Sequence, residues 1–88
     1  MTLAQMQIKL FGKAIVLFNE FNGKTSHWPI KKVSHAAGGF LLTAEDNEGT
    51  QMNLQADVPT ILNMAGQGIT NELPCIKGGF FKTTISIR

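Results

Sequence analysis

The last nine residues, Phe80-Phe81-Lys82-Thr83-Thr84-Ile85-Ser86-Ile87-Arg88, constrain the fold more than any other stretch. In an extended strand, successive side chains point to opposite faces. Phe81, Thr83, Ile85 and Ile87 therefore share one face, which reads as the wall of a core. Phe80, Lys82, Thr84, Ser86 and Arg88 share the other, and it carries an aromatic ring beside two cations, where a merely solvated surface needs no ring. A glycine pair, Gly78-Gly79, feeds this strand, as Gly38-Gly39 feeds Phe40-Leu41-Leu42-Thr43. The echo stops after about six residues and does not amount to an internal duplication.

Residues 3–22 carry two patterns at once. Leu3, Met6, Leu10, Ala14, Leu17 and Phe21 recur at helical spacing, with Ile8, Phe11, Ile15 and Phe18 on the adjoining arc. Thr2 and Gln5 fit a capping box, and Gly23 fits a helix stop. Against that, Met6, Ile8 and Leu10 alternate with Gln5, Gln7 and Lys9 as in a strand. Gly12 weakens a helix interior, and Asn22-Gly23 suits a hairpin turn. The helix is the preferred reading.

The middle of the chain is plainer. Pro29 limits residues 24–37 to irregular chain or one short strand near Ile30 to Val33. Phe40, Leu42 and Ala44 then face Met52, Leu54 and Ala56 across the polar turn Glu45-Asp46-Asn47-Glu48-Gly49, a hairpin signature. Asp57 is placed to cap a short helix with Pro59 in its first turn and Val58, Ile61, Leu62 and Ala65 as its apolar stripe. Gly66 and Gly68 end it, and a short strand from Ile69 to Ile76 is limited by Pro74. These elements predict a single α+β domain over residues 1–88. Its small antiparallel sheet would have about four to five strands, with one or two helices packed on one face.

At 88 residues the core is close to the minimum for independent stability. A chain with 43% hydrophobic and 16% charged residues gains by hiding apolar surface against a copy of itself, so a homodimer is expected. A terminal strand at a sheet edge would supply one route to it, with Lys82 and Arg88 limiting further addition. Cys75 is the lone cysteine and cannot form an internal disulfide, which points to a reducing, cytoplasmic setting. The polar residues scattered through Leu3 to Phe21 argue against a membrane span or a signal peptide. Charge is unevenly laid out: +4 over residues 1–35, −5 over 36–76 and +3 over 77–88, within a total of +2. If the termini lie side by side, the basic ends merge into one patch.

The chemistry-bearing residues do not assemble into a catalytic or cofactor pattern. His27 and His35 with a remote Cys75 fall short of the about four ligands of a structural metal site, and no paired-ligand motif is present. Cys75, between Pro74 and Ile76, reads as an inert packed thiol. Glu45, Asp46 and Glu48 crowd a hydrated turn that gives no reason for a raised pKa. No glycine-rich run leads into a helix as a phosphate cradle would. The expectation is a non-catalytic protein without cofactor or metal.

What remains is binding. Trp28, Lys31, Lys32, Phe80, Lys82 and Arg88 make up a basic-aromatic set, with Trp28 and Phe80 as anchors and the cations steering an acidic protein partner. The same residues suit a nucleic acid, rings stacking on bases and cations meeting phosphates. However, Phe80 and Phe81 are adjacent where an RNA-recognition sheet alternates its aromatics, and +2 is a modest charge for that purpose. A small adaptor- or inhibitor-type module that binds protein and self-associates is therefore preferred over the nucleic-acid reading.

Overall fold

The structure is a computed structural model that describes residues 1–74 and 80–88, apart from the side chains of residues 73, 74, 80 and 81. The expectations for Cys75, for Lys77, for the Gly78-Gly79 pair and for the side chains of Phe80 and Phe81 lie outside the described residues.

Residues 3–22 hold a helix and then a strand, and the helix covers Met6, Ile8 and Leu10, whose alternation suggested a strand. Helix α1 spans Leu3–Leu10 and starts in the expected capping box. The Gln5 N–H donates to Thr2 Oγ1 at 3.1 Å, and the Thr2 N–H donates to Gln5 Oε1 at 2.8 Å. Phe11 is already extended, and Gly12 takes a φ of +72°, where a side chain would be strained. The helix therefore stops far short of Gly23, and strand β1 runs over Ala14–Asn19. The helical stripe buries Met6 and Leu10, and in β1 the adjacent Ile15 and Val16 are both buried.

The Asn22-Gly23 turn leads to β2, Lys24–Ala36, much longer than the short strand expected around Pro29. Pro29 is tolerated for a specific reason. Ile30 N–H donates to Lys13 O at 3.0 Å, which makes Lys13 and Ile30 a hydrogen-bonded pair and Ala14 and Pro29 the intervening non-bonded pair. The missing proton of Pro29 thus costs no bond to β1. One residue later, the register with β3 (Gly39–Glu45) jumps from Ile30↔Ala44 to Lys32↔Thr43, leaving Lys31 unpaired in a bulge. The extra residue reverses the alternation. Trp28 and Ile30 face the core before it, and Val33 and His35 share that face after it.

The β3–β4 hairpin follows the sequence. Strand β4 is Gln51–Ala56, and Phe40↔Ala56, Leu42↔Leu54 and Ala44↔Met52 stand on one face. Asp46 fixes the turn by accepting from the N–H groups of Glu48 and Thr50 at 2.9 and 2.8 Å. Helix α2, Val58–Gly66, begins at Asp57, whose Oδ1 accepts from Thr60 N–H at 2.9 Å. Its stripe is shifted from the expected one, since Ile61 and Met64 are buried and Leu62 is left partly exposed. Strand β5, Ile69–Pro74, then pairs antiparallel with β6, Phe80–Ile87.

Among the described residues the strands form one antiparallel sheet in the order β4-β3-β2-β1-β6-β5. The count exceeds the four or five expected because the second half of residues 3–22 is a strand. Both helices cover one face, α1 against β2 and α2 against β6, and Met6, Leu10, Ile61 and Met64 meet Ile15, Leu42 and Ile87 there. The terminal strand is not an edge. It lies between β1 and β5, so the expected self-pairing through it has no free main chain to use.

Candidate functional site

Cross-strand neighbours share a face, so the register settles where the six sequence-predicted binding residues lie. Trp28 is opposite Ile15, and Ile15 is opposite Ile87, which places Trp28 on the helix-covered face. Its ring packs partly buried against the core, and its indole Nε1 is buried without a hydrogen-bond partner among the described residues. Lys32 is opposite Thr43, and Lys82 is opposite Glu72, both on the helix-free face and both exposed. Arg88 is exposed as well, and its Nε donates to Ser86 Oγ at 3.3 Å. Lys31 is exposed in the bulge at the strand margin. Phe80 pairs through its main chain with Pro74. The set is therefore divided between two faces, and Trp28 is not an accessible anchor.

A different aromatic occupies that role. Beyond Ala14, β1 no longer flanks β2, and α1 lies along the vacated margin instead. Gln7 Nε2 donates to Val33 O at 3.3 Å and fixes the helix to the strand. Between them runs a groove of ≈ 370 Å³ whose walls include Leu10, Phe11, Ile30 and Val33, with Lys31 and Lys32 at its lip. A second hollow of ≈ 440 Å³ continues it along the helix, lined by Ala4, Gln7, Ile8 and Phe11. Phe11 is 87% exposed and Ile8 78%. Apolar side chains left this open next to one another mark an interaction surface more often than chance exposure.

Two further cations stand at the end of α1, outside the groove. Lys9 lies in the last turn of α1, where the negative end of the helix dipole favours it, and Lys13 follows the helix. Both line a small cleft of ≈ 140 Å³ beside Ala65 and Ile87. The basic ends of the chain also meet, since Arg88 N–H donates to Ala14 O at 2.9 Å. Chemically, the groove offers apolar walls for a side chain and ammonium groups for carboxylates.

Sequence reasoning missed Ile8 and Phe11 because it assigned them to a helical face continuing to Phe21. The signal that separates them is Gly12, which ends the helix before the arc they occupy can be covered. The histidines lie on opposite faces because of the bulge: His27 is opposite Val16, whereas His35 stacks on Phe40 with centroids 5.5 Å apart. Among the described residues no three His, Cys, Asp or Glu side chains are grouped to hold a metal, and no helix is long and apolar enough to cross a membrane. Comparison with known proteins gave no matching family model, no matching curated protein and no matching solved structure.

Proposed function

We propose that this chain is a non-catalytic, cytoplasmic binding module that takes a protein partner in the α1–β2 groove. The observation that carries the reading is the pair Ile8 and Phe11, open to solvent on a short helix, beside Lys31 and Lys32 in the same continuous hollow. The partner is an acidic segment with at least one large apolar side chain. That side chain fills the space against Phe11, and the lysines set approach and register. Affinity capture from a lysate of the source organism, with wild type beside Phe11→Ser and Lys31→Glu, tests it. A partner held by wild type should be lost from both variants, while circular dichroism shows each still folded. Equal capture by all three proteins overturns the proposal.

A second reading is favoured by one observation on the helix-free face. Phe18, 39% exposed on the central strand β1, is flanked in register by Thr25 and Thr84, and His27 and Lys82 share its face. That arrangement suits stacking on a nucleic-acid base. Labelled single-stranded and duplex oligonucleotides at low salt separate the two readings. Failure to bind more tightly than about millimolar removes the second, because non-specific electrostatic binding alone reaches about 10⁻⁴ to 10⁻⁶ M.

A further inference from the structure

The two margins of the sheet are built differently. Strand β5 closes one side with Glu72 and Pro74, a charge and a proline of the kind that discourage addition of another strand. Strand β4 closes the other with Gln-Met-Asn-Leu-Gln-Ala, which has no charge, no proline and no bulge against β3. Its hydrogen-bond phase follows from the turn. Asp46 N–H donates to Thr50 O at 3.0 Å, so the main chains of Met52, Leu54 and Ala56 are directed at β3. The N–H and C=O groups of Gln51, Asn53 and Gln55 are directed away from it, along a margin where no described strand pairs. The side chains of these three residues are exposed and uncharged, and Met52 and Leu54 are only half-buried on the opposite face.

We propose that β4 pairs antiparallel with β4 of a second copy of this chain about a two-fold axis at Asn53, joining the two sheets into one. The occupant is a second copy because this strand complements itself. With Asn53 opposite Asn53 of the second copy, Gln51 meets Gln55 and Met52 meets Leu54. Every outward main-chain group then meets an outward group, amides face amides, and apolar side chains face apolar ones. Neither strand carries a charge, so within the paired segment 51–55 no like charges are opposed. The α1–β2 groove lies along the side of β2 away from β3 and β4, so dimerisation leaves both grooves open. The proposal does not depend on what fills them.

Sedimentation velocity over a wide concentration range tests the pairing. Wild type should form dimers, and Asn53→Lys and Asn53→Glu should each be monomeric with unchanged circular dichroism. An equimolar mixture of the two variants should recover the dimer, because opposite charges then meet at the axis. A monomeric wild type overturns the proposal, and so does a dimeric Asn53→Lys; a mixture that stays monomeric overturns the Asn53-centred register. Hydrogen exchange on wild type needs no variant. Protection of the amides of Gln51, Asn53 and Gln55 should rise with protein concentration, while Met52 and Leu54 are protected throughout; no concentration dependence at these three would contradict the pairing.

Discussion

Inserting one alanine between Lys31 and Lys32 should be far more damaging than replacing Lys31. Lys31 is unpaired in the β2 bulge, which absorbs one extra residue and so leaves Val33, 8% exposed, on the face already occupied by Trp28 and Ile30. With a second extra residue there, a strand that keeps its pairing with β1 turns Val33 outward and Lys32 and Ser34 toward the core. Losing the burial of one valine costs about 1.5–3 kcal/mol. Pressing a polar group against apolar side chains without a partner adds about 1–3 kcal/mol. The Gln7–Val33 hydrogen bond that ties α1 to the sheet is also lost. The insertion therefore costs about 3–6 kcal/mol, a large share of the about 5–15 kcal/mol that holds a typical domain together. Lys31→Ala keeps the bulge and should stay within about 0.5 kcal/mol of wild type, as exposed substitutions do. Urea titration followed by the emission of Trp28, the sole tryptophan, compares them directly. Equal midpoints for the insertion and for Lys31→Ala would show that the bulge does not set which face Val33 occupies.

Three further outcomes follow from the same packing. Phe40→Ala should cost about 3–5 kcal/mol, since that ring is 3% exposed, whereas Phe11→Ala, at 87% exposed, should leave the urea midpoint almost unmoved. Hydrogen bonds from the Thr60 hydroxyl and then the Thr60 N–H hold the Asp57 carboxyl below its usual 3.8. Its contribution to stability is therefore present above that value and lost as pH falls through the lower folded one; Asp57→Asn should be less stable than wild type at neutral pH, with the gap closing in acid. Gly39→Ala should destabilise the protein, because a Cβ there collides with the Ala56 carbonyl oxygen and Asp57 Cα, while Gly66→Ala in α2 meets open space and should raise stability by about 0.5–1 kcal/mol, both read from thermal melts.

The elements most legible in the sequence were those fixed by local contacts. Thr2 with Gln5, Asp57 with Thr60, and Asp46 with its turn are satisfied within a few residues, so their side chains announce them. The facing apolar triplets of β3 and β4 were equally plain, since each strand alternates cleanly around one short turn. What could not be read was set by partners distant in sequence. Residues 14–19 satisfy a helical wheel, but pairing on both sides, with β2 and β6, makes them the middle of a sheet. Pro29 looked like an end to a strand because nothing local reveals that its nitrogen falls in a non-bonded pair. Trp28 looked like a surface anchor beside Lys31 and Lys32, but strand alternation, broken only at the bulge, turns it inward. Phe11, by contrast, looked like core and is open because the helix stops beside it.

The reading of this chain as a binding module rests on the α1–β2 groove as the place where a partner docks. Once a partner has been captured, titrating it into isotopically labelled protein and following the backbone amide resonances tests that claim most directly. The largest shifts should fall on Gln7, Ile8, Phe11 and residues 31–33, and Phe11→Ser should weaken binding at least about thirtyfold, the equivalent of about 2 kcal/mol. Shifts confined to Thr25, His27, Lys82 and Thr84, with the groove resonances unmoved, would place the partner on the helix-free face and contradict the claim.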